Sequence, residues 1–364
     1  MKKNHLLLLL ASLAFFACSE TTSPEKDDDV FEPGKSLVFT FHSDYTSGEL
    51  RWFSPDSLRL SESSLEFNQD SRLGAIDSLL FVLERYGADN LVLVNPKLLP
   101  EASAVVYQKA LETGANPSDL VKINSETAWL AQENSSDLLK INMEDGSTNA
   151  TVDLSDFAYA GALSPNLVDL EISGDTLFAL IQRLDGYDPV IPGMILLLSA
   201  KNGSFLDSIP LQTTNPSAMA LLDGNIYVST QGAYNADYEL EADSLRGLEQ
   251  VKIAAKTSEL FTSGKELGGG AQSLTLDRKN KIAYTSIYAD YSGNKIVSVN
   301  LKNGEVSNVE SVGGSSPILY DAENETLWVG DNASSEIFGL RGKTKQSVTS
   351  SEILPPYGLA IVNF

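Results

Sequence analysis

The residues able to do chemistry in this chain are few, and their types narrow the options. Among 364 residues there is one cysteine, Cys18, and two histidines, His5 and His42. A single thiol closes no intramolecular disulfide and builds no thiolate zinc cluster. Beyond the first few residues only His42 remains, so a multi-histidine metal centre has no second imidazole. The sequence contains neither a Gly-x-Ser-x-Gly elbow nor a Gly-x-x-x-x-Gly-Lys-Ser/Thr phosphate loop. That leaves carboxylates, amides, guanidinium groups and tyrosines. Tyrosine stands beside aspartate in Asp185-Gly186-Tyr187-Asp188, in Tyr234-Asn235-Ala236-Asp237-Tyr238 and in Tyr288-Ala289-Asp290-Tyr291. A phenol ring offers an apolar, electron-rich face, and the carboxylate beside it accepts hydrogen bonds. The pair suits a sugar, a peptide or a cationic group. Asp237, Glu239, Glu241 and Asp243 form an acidic i, i+2 series. Oxygen ligands so spaced could hold Ca²⁺, but the Asp-x-Asp-x-Asp-Gly loop and its closing bidentate Glu are missing. The series therefore reads first as a solvated acidic loop, and no cofactor is expected. Forty-nine Asp and Glu against 26 Lys and Arg give a net charge of −23. Such a balance excludes nucleic acid as a partner, because phosphate recognition needs clustered cations.

Cys18 has its own context. Met1-Lys2-Lys3 is basic, and Leu6 to Phe16 is an apolar run of 11 residues. A membrane-crossing helix needs about 20, so the segment reads as a secretory signal. It ends Phe15-Phe16-Ala17-Cys18, which resembles the lipobox of bacterial lipoproteins, with Phe15 in place of the usual Leu and Phe16 in place of the usual small residue. The resemblance implies that residues 1–17 are a signal peptide, that Cys18 is acylated, and that its chains enter a lipid bilayer. Anchoring by more than one chain is stable. The expected address is the bacterial cell envelope, at the outer membrane, periplasmic or surface-exposed. Loss of Lys2 and Lys3 with the leader takes the charge from −23 to −25. Residues 18–36, acidic and punctuated by Pro24, Pro33 and Gly34, read as a flexible tether.

The rest of the chain, 37–364, repeats. Asn116-Pro117-Ser118-Asp119-Leu120 leads into Thr127-Ala128-Trp129-Leu130, then Asp137 to Asn142, then Asp145-Gly146. Ser316-Pro317-Ile318-Leu319 leads likewise into Thr326-Leu327-Trp328-Val329 and Glu336 to Leu340. Copies open near 71, 117, 165, 216, 271 and 316, 45 to 55 residues apart. Asn202-Gly203 and Asn303-Gly304 mark tight hairpins, since these residues tolerate positive φ. Units of this length with four strands each are propeller blades. The ends supply a seventh: Tyr357 to Val362 as innermost strand, with Ser36 to Phe41, Glu49 to Phe53 and Ser64 to Phe67 outside it. The expected fold is all-β: a single, monomeric seven-bladed β-propeller with four-stranded antiparallel blades, its ring closed by the C-terminal strand joining the N-terminal strands. The rival architecture is an α/β fold, suggested by helix-like stretches such as Ser103 to Leu111, which stands isolated among the strands.

These lead-ins, the turn-then-aromatic strands such as Asp321 to Val329, and Val299-Asn300-Leu301-Lys302-Asn303-Gly304 resemble the YVTN/YncE-like family within the WD40-like superfamily. Ile226-Tyr227-Val228-Ser229-Thr230 is the nearest version of the signature that names the family. In such propellers the loops after the second and fourth strands share one face. Aligning the second strands places His42, Glu84-Arg85, Gln132-Glu133, Arg183, Gln231 and Asp331 at one mouth of the channel, with Asp188, Tyr234, Tyr288 and Asp290 in the loops beyond. This Tyr/Asp-rich face is the expected site for a protein, peptide or glycan ligand, which makes the chain a binding or interaction module. Two alternatives stand beside it. One is a lactonase- or hydrolase-type enzyme using the mouth carboxylates Glu84, Glu133 and Asp331. The other is a structural envelope protein.

Overall fold

The computed structural model describes residues 35–364, apart from 236–238, 241, 290–293 and 315. Cys18 and the leader lie outside the described residues, as do Asp237, Glu241 and Asp290. The strands form seven antiparallel sheets arranged as the blades of a propeller. Blade 1 is made of Pro356–Asn363, Ser36–Ser43, Gly48–Phe53 and Leu65–Phe67, from the channel outward. The C-terminal strand thus supplies the innermost position, with Ser36 opposite Asn363 and His42 opposite Pro356. The innermost strands of blades 2 to 5 begin at Ser71, Pro117, Leu167 and Pro216, and that of blade 7 at Ile318. In blade 6 the innermost strand is split into Gly270–Ala271 and Thr275–Asp277, which both pair with Ile282–Tyr288.

The second strands explain why the blades stack. Leu79–Glu84, Thr176–Ile181 and Thr326–Asp331 are almost continuously apolar and buried, without the in–out alternation of a half-exposed sheet. Successive side chains leave a strand on opposite faces. Leu80 and Val82 therefore pack toward blade 1 with Phe39 and Trp52, whereas Phe81 and Leu83 pack toward blade 3 with Leu130 and Ile141. Seven apolar clusters result, one in each gap between neighbouring blades. The outer strands, such as Thr148–Asp153, face solvent and are polar.

The turns repeat as the sequence requires. The amides of Gly146, Gly203 and Gly304 reach back to the carbonyls of Asn142, Ser199 and Asn300. Each of these glycines has φ between 71° and 77°, where a side chain is strained. At Gly203 a Cβ would also stand 2.4 Å from the Val152 Cγ2 atom. The stretch with a helical look is a single 3₁₀ turn, Ala102–Ala104, followed by the fourth strand of blade 2, Val105–Ala110. Its pairing with Asn90–Val94 completes that blade and overrides local propensity.

Candidate functional site

The loops after the second strands gather on one face, and tyrosines populate them. Tyr45, Tyr86, Tyr187 and Tyr234 come from blades 1, 2, 4 and 5, and are 67%, 77%, 95% and 36% exposed. Tyr288, the last residue of its strand in blade 6, is half-buried. Tyr234 and Tyr288 meet edge to face, with ring centroids 6.0 Å apart at 67°. Burial raises the pKa of the Tyr234 hydroxyl, with the Tyr288 phenol adding to the effect and Arg246 opposing it. Across the mouth, Tyr45 stands edge to face on Tyr357 at 5.2 Å. Burial and a hydrogen bond between the two hydroxyls raise the Tyr357 pKa.

The scaffold fixes these rings. Asp44 Oδ1 accepts from the Thr46 amide at 2.8 Å and the Ser47 amide at 2.7 Å, closing a tight loop that projects Tyr45. The Tyr45 amide donates to Ser43 Oγ at 3.0 Å, and Ser43 Oγ donates to the Gln69 carbonyl at 2.6 Å. Tyr45 and Tyr86 have φ of 65° and 45°, a region that bulky residues seldom enter. Two rings of one face are thus held in conformations that cost energy, a pattern often met at functional sites.

The aligned strand ends do fall on this face, but they do not form one polar ring. Tyr234 and Tyr288 are brought together, and Asp188 is exposed in a turn whose amide donates to the Asp185 carbonyl. His42 is fully buried instead of facing the mouth. Its Nε2 lies 2.7 Å from Thr40 Oγ1 and its Nδ1 2.9 Å from the Leu354 carbonyl, a neutral ring tying the first strand to the approach of the last. Burial pulls its pKa down to about 4. Glu84 is buried too, accepting from the Asn68 amide, Asn90 Nδ2 and Gln108 Nε2 at 2.7–2.8 Å. These bonds occupy the carboxylate with holding the loop from blade 1. Arg85 and Glu133 pair at 2.5 Å, and Asp70 lies 3.6 Å from the same guanidinium. Gln132 is buried, donating to the Asp137 carbonyl at 2.8 Å. Arg183 Nε donates to the Phe157 carbonyl at 3.2 Å. The Gln231 amide donates to the Asn215 carbonyl. Asp331 accepts from the Gly313 and Ala333 amides at 3.2 Å each. In the acidic series, Glu239 is bonded to Asn235, and Asp243 pairs with Arg246 at 2.5 Å. Among the described residues no three metal-ligating side chains come together.

A second polar centre lies in the channel, apart from the residues that the strand alignment brings to the mouth. Asp119 and Asp169 project from the innermost strands of blades 3 and 4 and hydrogen-bond each other. Each also accepts from the inner strand of the following blade. Asp119 Oδ2 takes the Leu170 amide at 2.9 Å, and Asp169 Oδ2 takes the Met219 amide at 2.6 Å. An innermost strand has an unpaired edge, and these carboxyls satisfy it. Solvent reaches them along the channel, yet protein surrounds them, and this desolvation raises both pKa values. The neighbouring Asp119 charge lifts that of Asp169 further. Glu171, two residues along the strand, is pushed up to about 7 by burial and by Asp119, against the pull of Arg278. Arg72 closes the other side, donating to the Ser118 and Val168 carbonyls at 3.2 and 3.3 Å. A signal existed: each aspartate follows by three residues an asparagine, Asn116 or Asn166, with positive φ.

Solved structures match this architecture closely in extent and distantly in sequence. Hydrazine synthase of Kuenenia stuttgartiensis aligns with a TM-score of 0.61 at 12% identity, over 89% of this chain and 99% of that one. Apo AztD of Citrobacter koseri gives 0.54 at 13%, over 91% and 98%. The dihydro-heme d1 dehydrogenase NirN gives 0.55 at 12%, over 90% and 76%. What is shared is the propeller. No protein-family model matches the sequence, and no curated protein does.

The sequence pointed to Tyr234 and Tyr288 and overlooked Tyr45, Tyr86 and Tyr357. Tyr45, Tyr86, Tyr187, Tyr234 and Tyr288 all lie at, or within six residues beyond, the end of a second strand. Registering the blades on strand ends and then reading onward would have found the set. Chemically the mouth can stack, accept hydrogen bonds and attract cations. Of the mouth carboxylates considered for hydrolysis, Glu84 is held by three donors and Glu133 by Arg85.

Proposed function

We propose that this protein is an envelope-anchored binding module that captures a ligand on its tyrosine-bearing loop face. The observation that carries the reading is the placement of exposed tyrosines on the loops after the second strands of four blades, with Tyr288 beside Tyr234 from a fifth. Scattered apolar residues are normal on a protein surface, but a set concentrated on one rim marks an interaction site. Loops on a rigid scaffold are the usual seat of recognition. The YVTN/YncE-like resemblance and the lipobox-like Phe15-Phe16-Ala17-Cys18 motif support an address in the bacterial envelope. The propeller acts there as a monomer, without a cofactor.

The test has two arms. A photoreactive group at Tyr187 in cells should cross-link a discrete partner, and the same group at Leu98, which leaves the opposite side of the ring, should not. Equal labelling from both positions, or from neither, sinks the loop-face reading. Cys18→Ser should release the protein from membranes. Undiminished membrane retention together with absence of an acyl label would refute the anchor.

A further inference from the structure

We infer that the ligand of the loop face is a lysine- or arginine-rich segment of another protein, an assignment that rests on the loop-face reading above. The argument is charge complementarity at the rim. Among the described residues, the cations on the loops of this face are Arg85, Arg183, Arg246 and Lys265, and Lys295, the first residue of its strand, brings its Nζ beside Gly268. Arg85 is paired with Glu133 and Arg246 with Asp243, Arg183 is bonded to a backbone carbonyl, and Lys265 is exposed on the short helix between blades 5 and 6. The residues of these loops outside the described set include no Lys or Arg. By contrast Asp44, Asp156, Asp185 and Asp188 are exposed, and none of them forms an ion pair with a Lys or Arg among the described residues. Local hydrogen bonds from Thr46 and Ser47 lower the pKa of Asp44, so it is charged across the physiological range.

Carboxylates without a cationic partner among the described residues flank exposed tyrosines in the chain: Asp44 precedes Tyr45, and Asp185 and Asp188 bracket Tyr187. The face of an aromatic ring attracts a cation through its quadrupole. A neighbouring carboxylate strengthens that attraction and also sets the on-rate by steering. A neutral glycan would profit from the rings but would gain nothing from a surplus of negative charge. An acidic ligand would be repelled. Lysine and arginine side chains match both features, the apolar stem lying along a ring and the head reaching a carboxylate. The rings are distributed around the mouth, so a chain carrying several cations would engage more of them than a single small cation would.

The experiment titrates the full-length protein in detergent with a fluorescent peptide of repeating Lys-Gly-Ser, with the same peptide acetylated on every lysine, and with a neutral glucan oligosaccharide. Saturable binding of the lysine peptide is expected, and loss of binding on acetylation. Affinity should fall by about tenfold or more as added salt shortens the Debye length from about 10 Å to about 3 Å. D185N/D188N and, separately, Y45A/Y187A should each weaken binding by at least about fivefold. Glu144→Gln, in a turn on the opposite side of the ring, should leave it unchanged. If acetylated and unmodified peptides bind alike, or only the glucan binds, and Y45A/Y187A abolishes that binding, the cationic class is wrong while the loop-face reading stands. If Glu144→Gln weakens binding as much as D185N/D188N, or if Y45A/Y187A leaves every interaction intact, the attraction is that of any polyanion and both are overturned. No binding of the lysine peptide at any salt overturns the inference alone. Unchanged circular dichroism and melting temperature in the variants exclude unfolding as the cause.

Discussion

The rim of the propeller and its channel both bury carboxyl groups, and they treat them in opposite ways. At the rim, Glu84 and Glu249 each accept three hydrogen bonds from protein donors; those of Glu249 come from the Gln212 amide and from the amide and hydroxyl of Thr213. In the channel, Asp119 and Asp169 face each other, and Glu171 lies close enough to feel the Asp119 charge. The same side chain is an anchor where donors converge and a reluctant acid where carboxyls converge. The difference shows that buried acids in a repeat fold can serve as mortar between blades without being a site. Exposed carboxylates beside unburied rings are the better guide to recognition.

The largest test of this contrast removes a rim anchor. Glu249 is fully buried, and Glu249→Ala would leave two backbone amides and a hydroxyl without their acceptor. We expect a loss of about 3–5 kcal/mol in denaturant unfolding; a loss below about 1 kcal/mol would show that water replaces the carboxylate readily. His42 supplies the next effect. Its pKa is about 4 in the fold and 6.5 as the reference value. Above pH 6.5 the ring is neutral in both states and its contribution is intact. As pH falls from 6.5 toward 4 the unfolded chain takes up a proton that the fold refuses, and about 3 kcal/mol is lost. His42→Gln should remove most of that slope, measured as unfolding free energy against pH.

Glu171 has the opposite sign. With a pKa raised from 4.5 to about 7, its contribution is fully present below pH 4.5 and is lost as pH rises through 7. Glu171→Gln should therefore stabilise the protein above pH 7 by up to about 3 kcal/mol and leave stability at pH 4 almost unchanged. A stabilisation independent of pH would mean that the acid is not strained by its neighbours. The smallest effect belongs to the loop face. Tyr187, 95% exposed, touches little, so Tyr187→Ala should change stability by less than about 0.5 kcal/mol. A larger loss would make that ring a structural element and weaken its claim as a binding residue.

The fold was legible because its signals are local and repeated. Pro117 and Pro216 open inner strands where the sequence placed them, and Asn-Gly pairs turn the hairpins. The apolar second strands set the blade-to-blade packing. The candidate site was legible only in part. His42 and Glu84 were placed at the right strand ends, but a strand sends neighbouring side chains to opposite faces. Which face a polar group meets depends on partners as distant as Leu354 and Gln108. The channel acids were illegible for the same reason. The amide that Asp119 satisfies belongs to Leu170, 51 residues away in another blade. Tyr45 and Tyr86 carry no motif of their own, because the loops that hold them are short and contain no second tyrosine.

Closure of the ring by the first and last strands has a geometric corollary. Ser36 begins its strand opposite Asn363, while His42, near the other end of that strand, lies by Pro356 and the loop rim. The chain therefore enters blade 1 on the side away from the tyrosines. Whatever the chain carries ahead of residue 35 thus joins the disc at its back, and a load attached there leaves the tyrosine rim uncovered at the point of attachment.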